Sequence, residues 1–344
     1  MMPPSVRYGR IVFVKDIHVT VLTNAIVDIL AHVDNSFFQE HDIQRGGYRI
    51  ISREEIVELY DKIPPAIEQS GGSLANTVAV LGALGAKACC LAKVTDDAFG
   101  RIFMHDMKAS HVAFPLVPTH SYERTGHSII LIDEEGDRSM NTNLGSSVEI
   151  GPEDLCVRSI QNARILCVEG YFWSHALTRE SVYYAISVAK ESKTNIAFGL
   201  SAEWCVKTFR EDFLSLIETS VNILLGNELE YQALFEGDIS HVLRCLSGMP
   251  LLAVITRGNQ GSIVVQGGTI IHVPPTAPKQ VVDATGAGDT YASGFLYGLT
   301  HGLSLEKSAR LGSLVAAETV AHIGARPDQT LIRKIVKEAG FEIE

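Results

Sequence analysis

The spacing of apolar and polar positions changes along the chain and divides it into parts. From Gly151 onward, short β-rich runs alternate with longer segments of helical spacing, and 163–169, 195–200 and 221–225 read as strands. Such alternation predicts a parallel sheet with crossover helices. The segment 251–265 reads as strand, turn, strand. Near the start, 17–33 reads as one β-rich run that carries Asn24 and Asp28 inside apolar surroundings. Residues four apart in a strand point to the same face, so both polar side chains could enter one cavity. A turn Asn and an edge Asp are the structural alternative.

Two polar excursions interrupt this pattern. The first, 35–53, has Gly46-Gly47 at its centre and a strand-like stretch after it. The second, 111–145, reads as a strand over 128–133, an acidic turn at 134–137 and a returning strand over 138–144. Between them, 54–68 has helical spacing broken by Pro64 and Pro65. In 70–87, Gly71-Gly72 leads into a helix whose apolar residues are Ala75, Val78, Val80, Leu81 and Leu84. Asn76 is the one amide side chain in its early turns. Glycines let a ligand approach the backbone, and an amide answers a hydroxyl as donor or acceptor. A helix that simply begins after two glycines is equally compatible with these residues.

Composition excludes several classes of function. A net charge of −11 argues against nucleic acid or an anionic membrane as partner. An acidic protein can still bind a small anion if the site supplies local N–H donors and a basic side chain. The hydrophobic share of 46% over 344 residues suits a large α/β core. Six scattered cysteines without a C-x-x-C pair read as thiols in a reducing compartment. Residues 1–10 do not resemble a signal peptide, and no apolar run approaches membrane-spanning length. A cytoplasmic protein is expected. The twelve histidines show no metal-binding spacing.

The most informative stretch is 281–302, VVDATGAGDTYASGFLYGLTHG. Tyr291, Ala292, Phe295, Leu296 and Leu299 give a helix with one apolar face. The turn Gly286-Ala287-Gly288 before it lets successive N–H groups converge at the positive end of the helix dipole, forming an anion cradle. Asp289 beside that cradle would repel a bound phosphate. A catalytic role explains it: Asp289 takes the proton of an attacking hydroxyl while the N–H groups face the transferred group. An Asp at the start of a helix behind a glycine turn is the structural alternative. Similarly, Asn227 and Glu230 face the same way in a first helical turn, as a capping pair or as ligand contacts.

The run DATGAGDTYASGF resembles the C-terminal signature of the ribokinase/PfkB carbohydrate and nucleoside kinases, D-T-x-G-A-G-D, with Ala284 in place of Thr. Upstream segments resemble further motifs of that family. The run 17–33 is similar to G-N-x-x-x-D, with Thr23 for Gly, and 70–87 to G-G-x-x-x-N. N-x-x-E appears as Asn227 to Glu230, and T-x-G-x-x-G as Thr256, Gly258 and Gly261. The segments NAIVDI and DRSMNTNLG look most like adenosine kinases.

The resemblance covers nearly the whole chain and implies a ribokinase-like three-layer α/β/α sandwich with a mostly parallel central sheet and a small β lid. The core would comprise 1–34, 54–110 and 146–344, and the lid 35–53 and 111–145. It further implies transfer of the γ-phosphoryl of ATP to a hydroxyl of a nucleoside, with adenosine first and a sugar as runner-up. Asn24, Asp28, Gly71, Gly72 and Asn76 would bind the acceptor. Asn227, Glu230, Thr256, Gly258 and Gly261 would lie beside ATP. Asp289 would be the base, with Gly286, Ala287, Gly288 and Arg138 stabilising the transferred group. Glu230 would serve Mg²⁺ through water. Carbonyls near Asp283, Thr285 and 324–327 would hold K⁺. Among the aromatic residues, Phe37, Tyr48, Tyr171, Phe172 and Trp173 are available to stack a purine. A monomer or homodimer is expected. A catalytically silent nucleoside-binding regulator is the reading from another class. A dehydrogenase lacks its G-x-G-x-x-G after an N-terminal strand, and a P-loop kinase its G-x-x-x-x-G-K-[ST].

Overall fold

The computed structural model describes residues 15–341. The expectation for 1–10 and the outermost ends of the predicted core lie outside these residues. In chain order the strands are β1 (Ile17–Leu22), β2 (Ile26–His32), β3 (Tyr48–Ile50), β4 (Ile67–Gly71), β5 (Ala88–Leu91), β6 (Val112–Ala113) and β7 (Gly126–Ile132). They continue with β8 (Arg138–Asn143), β9 (Ala163–Glu169), β10 (Asn195–Gly199), β11 (Ile223–Asn227), β12 (Leu252–Thr256), β13 (Ser262–Gln266) and β14 (Thr269–Val273). Among the described residues these form a nine-stranded sheet, β14-β13-β12-β11-β10-β9-β1-β5-β6, and a five-stranded one, β3-β8-β7-β2-β4. From β12 to β6 the pairings of the larger sheet are parallel, while β13 and β14 turn back on its edge.

The period of two in the strands divides the interior. Val19, Val21, Ile165, Cys167 and Ile223 face one buried cluster, shared with Phe295 and Leu311. The alternate residues Leu22, Leu166, Val168, Phe198 and Leu224 face the other, shared with Val182 and Phe213. Both faces of the larger sheet are therefore covered by helices, which is why its strands read as continuous apolar runs. This is the α/β/α sandwich that the sequence predicts.

The start of the chain departs from its sequence reading. The run 17–33 forms two strands in different sheets, with Thr23, Asn24 and Ala25 between them. The break has a polar cause: Thr23 Oγ1 and the Asn24 N–H both donate to the buried carboxylate of Glu169, while Thr23 N–H stays on Leu91 O. Asn24 and Asp28 therefore do not share one strand face. The smaller sheet also takes in β2 and β4, which the sequence boundaries gave to the core. Conversely, β6, inside the predicted lid segment, pairs with β5 of the larger sheet. The helical reading of 54–68 holds only over Arg53–Tyr60, where Ser52 and Glu55 form a capping box. Beyond Pro64 and Pro65 the chain becomes β4, since neither proline can continue a helix.

The helix Ala287–Thr300 is held in place by close backbone packing on Leu305–Thr319. A Cβ added to Gly294 would meet Gly312 Cα at 2.7 Å, and one on Gly298 would meet Ser308 Cα at 2.9 Å. Gly294→Val is expected to lower stability by about 1–3 kcal/mol, the typical cost of overpacking. Thermal denaturation would read this as a lower Tm, and an unchanged Tm would show that the helix pair is free to separate.

Candidate active site

The helix Ala287–Thr300 starts on Gly286, at φ +73°, with no side-chain cap over its N-terminus. Only a residue without Cβ fits there, because a Cβ would meet Ala325 O at 2.3 Å. Above Gly288 the space is open, with nothing within 4 Å of an added Cβ. The start of this helix thus offers backbone N–H groups to a ligand, and a phosphate group fits that geometry.

Asp289, in the first turn, faces the helix Ser73–Ala83. Ser73 Oγ donates to its Oδ1 at 2.7 Å and Asn76 Nδ2 to its Oδ2 at 3.2 Å. The two helices are further tied by Thr77 Oγ1 to Asp289 O at 3.1 Å and by Ser293 Oγ to Thr77 O at 2.9 Å. Burial pushes the Asp289 carboxyl up to about 6, although the bonds from Ser73 and Asn76 favour its charged form. It lines a cavity of about 390 Å³ at the carboxyl ends of the parallel strands.

Of the predicted acceptor residues, Asn24, Asp28, Gly72 and Asn76 line the same cavity from other elements, while Gly71 is not among its lining residues and lies against the Asp28 carboxylate. Asp28 comes from β2 in the smaller sheet and rests directly on Gly71, where a Cβ would meet its Oδ2 at 2.2 Å. Burial raises its carboxyl to about 7, against the favourable charges of Arg326 and Arg138. Gly72, at φ +93°, leaves room for the Asn24 carbonyl, which a Cβ would meet at 2.6 Å. Asn24 gives its N–H and Nδ2 to Glu169 Oε1 at 3.0 and 3.2 Å, while its buried Oδ1 has no hydrogen-bond partner. That free acceptor suits a ligand hydroxyl.

On the other side, Asn227 and Glu230 form a reciprocal helix cap. Asn227 N–H and Nδ2 donate to Glu230 Oε2 and Oε1 at 2.9 and 2.7 Å, and Glu230 N–H donates to Asn227 Oδ1 at 3.0 Å. Burial raises the Glu230 carboxyl to about 7. Both residues also line a second cavity of about 230 Å³ with Thr256, Gly288 and Asp289. Gly258 and Gly261 lie outside both cavities. Gly261 serves the strand connection, where a Cβ would meet Val273 O at 2.1 Å.

Arg138 does not stand free over the cradle. Its guanidinium pairs with the buried carboxylate of Asp283, which also accepts N–H bonds from Thr285 and Gly324. This ion pair ties the smaller sheet to the segment entering the glycine turn. Four other residues belong to the site without having been singled out. Glu169 closes β9 and accepts from Thr23 Oγ1, Asn24 N–H and Nδ2, and Leu74 N–H; burial raises it to about 7. A carboxylate ending an apolar run just before Gly170 was the signal for it, since parallel strands present ligand groups at that end. Arg326, Ser73 and Trp204 lacked any comparable signal.

Aromatic residues gather at one part of the larger cavity. Tyr48 and Trp204 stack with centroids 6.2 Å apart, and Tyr171 lies 6.0 Å from Trp204. Phe172 and Trp173 are buried in the core, and Phe37 packs on His41, so these three do not reach the cavity. A larger cavity of about 520 Å³ lies among Ile56, Tyr60, Phe99 and His127 and contains none of the predicted residues. Among the described residues no group of three His, Cys, Asp or Glu could hold a metal ion, and no helix is long and apolar enough to cross a membrane.

Comparison with known proteins agrees with this geometry. A model of the pfkB family of carbohydrate kinases matches residues 58–331. The crystal structure of an adenosine kinase from Sinorhizobium meliloti superposes with a TM-score of 0.88 at 38% identity, over 94% of this chain and 100% of that one. A probable sugar kinase from Rhizobium etli superposes at 0.89 with 35% identity, over 95% and 99%. A curated relative, the 5-dehydro-2-deoxygluconokinase of Shouchella clausii, is 27% identical over 281 residues, 78% of this chain and 86% of its own length. The match spans the helix Ser73–Ala83, β11, β12 and the glycine turn alike, and on it we conclude that this chain is a phosphotransferase belonging to the pfkB family of carbohydrate kinases.

Proposed function

We propose that this kinase moves the γ-phosphoryl of ATP to the 5′-hydroxyl of a nucleoside, with adenosine as the preferred acceptor. The observation that carries the reading is the aromatic group Tyr48, Tyr171 and Trp204, which shares one cavity with Asp28, Asn24 and Asp289. A ribose hydrogen-bonded to Asp28 and to Asn24 Oδ1 leaves its base to be covered by rings, an arrangement a bare sugar does not need. The 38% identity to an adenosine kinase supports the same choice. The likeness to a 5-dehydro-2-deoxygluconokinase supports a sugar acid as the second reading.

In the mechanism we infer, Gly71 and Gly72 let the acceptor reach the backbone, and Asn76 and Asp28 orient it. Asp289 accepts the proton from the attacking hydroxyl oxygen, that oxygen bonds to the γ-phosphorus, and the bond to the β-bridging oxygen of ATP breaks to release ADP. Gly286, Ala287 and Gly288 present their N–H groups to the transferred phosphoryl. Asn227, Thr256 and the Gly258–Gly261 turn flank the nucleotide. When bound, Mg²⁺ supplies charge neutralisation on the phosphates, and Glu230 is the carboxylate to which we assign its waters. Arg138 adds positive charge as the smaller sheet closes and excludes water. We place K⁺ against backbone carbonyls near Asp283 and Thr285, next to 324–327. Six unpaired cysteines support a cytoplasmic setting.

ADP release measured with adenosine, ribose, fructose and 5-dehydro-2-deoxygluconate tests the acceptor. Adenosine should give the highest kcat/KM; preference for a sugar or sugar acid overturns the nucleoside reading, and binding without turnover overturns the enzyme. Asp289→Asn should lower kcat on the order of 10²–10⁴-fold with Tm held within a few degrees. Because the base must be unprotonated, kcat/KM should fall as pH drops through about 6 and level off at higher pH. A profile flat from pH 5 to 8 would exclude Asp289 as the base.

A further inference from the structure

The segment 324–327 closes the site from behind, and its one cation is not accounted for by substrate contacts. Arg326 Nε donates to Asn76 Oδ1 at 2.8 Å, and Nη1 donates to Ser70 Oγ at 2.7 Å. Nη2 is buried without a hydrogen-bond partner. The segment itself is firmly seated: Ala325 O lies where a Cβ of Gly286 would be, and Gly324 N–H donates to Asp283 Oδ2 at 2.7 Å.

An asparagine amide can be turned either way at little intrinsic cost, so its partners must decide the orientation. Here they leave no choice. A guanidinium can only donate, which requires Oδ1 on its side; a carboxylate can only accept, which requires Nδ2 toward Asp289. Turning the amide over would set its oxygen against Asp289 and its NH₂ against Arg326. Losing Arg326 removes the restraint and opens that orientation.

We propose that Arg326 is a positioning residue for phosphoryl transfer: it locks Asn76 with its N–H side on Asp289 and holds positive charge behind the carboxylates Asp28 and Asp289. The proposal rests on Asp289 being the base. The charged groups around Asp289 are Asp28 from β2, Glu169 from β9, Glu230 from the helix Glu228–Phe235, and Arg326. Tyr171 also faces it. Arg326 in turn is faced by Asp28, Asp289, Asp106 and Cys90. With three other acids around the base, removing the nearby cation should favour protonation of Asp289.

The test is a carbon-13 NMR titration of aspartate side-chain carboxyls in the unliganded full chain, with Asp289 assigned through Asp289→Asn. In Arg326→Gln the Asp289 midpoint should move to higher pH by about one pH unit, a tenfold change in proton affinity. Turnover near pH 6 should fall roughly fivefold with it, recover at higher pH, and leave the ATP KM unchanged. Arg326→Lys keeps the charge but cannot hold Asn76 and Ser70 together, so a smaller upward movement is expected, and this variant decides the matter if Arg326→Gln does not fold. An Asp289 midpoint unmoved in a folded variant overturns the proposal. The titration needs no acceptor, so failure of every acceptor to react would sink the functional reading while leaving this result to stand or fall separately.

Discussion

Burying acids near one another is costly, and this structure does it four times in one cleft. Asp28, Glu169, Glu230 and Asp289 arrive from β2, β9 and the starts of two helices, and burial raises each of them above the ordinary carboxylate range. Each is compensated differently. Glu169 takes four protein donors, Glu230 takes two from Asn227, Asp289 takes Ser73 and Asn76, and Asp28 relies on the charges of Arg326 and Arg138. Glu169 is the most fully satisfied and orders the bend at Asn24 and the helix beginning at Ser73, while Glu230 and Asp289 take two donors each; all four acids line the cavity. Because the folded values lie above the unfolded ones, the cluster favours folding most when protonated, and that contribution is lost as pH rises from about 4 through about 7. The fold accepts this cost at neutral pH.

The cleft exists because two sheets share a chain that crosses between them at Thr23–Ala25. Asp28 therefore belongs to one sheet and Asp289 to a helix on the other, and the distance between these two carboxylates depends on how the sheets meet. One ion pair bridges that meeting: Arg138 of β8 is paired with Asp283 beside the glycine turn.

Much of this was legible in the sequence, and the parts that were not have a common reason. The glycine turn, Asp289, the capping pair Asn227–Glu230 and the helix after Gly72 are local patterns, in which spacing alone fixes who faces whom. The break in 17–33 was invisible because its cause, Glu169, lies about 145 residues away. Arg326 and Ser73 were missed for the same reason: they act through partners about 250 and 216 residues distant. Trp204 stands alone in a polar stretch and gains meaning only where the fold stacks it on Tyr48. Short continuous apolar runs, in contrast, located most of the strands of the larger sheet, because both of its faces are buried.

In the mechanism we propose, Gly286–Asp289 would meet only the phosphoryl and the reacting hydroxyl, so the choice between a nucleoside and a sugar would rest elsewhere in the cavity. The far end of the cavity is made by Tyr48 of β3 and by Tyr171 and Trp204 after β9 and β10. Tyr48 remains 43% exposed and Ile50 52%, so β3 presents apolar surface that a bound ligand could cover. In the reading we propose, specificity would reside in rings contributed from both sheets, Tyr48 from the smaller and Tyr171 and Trp204 from segments after strands of the larger, and their exchange would alter the cavity's acceptor end without touching Asp28 or Asp289.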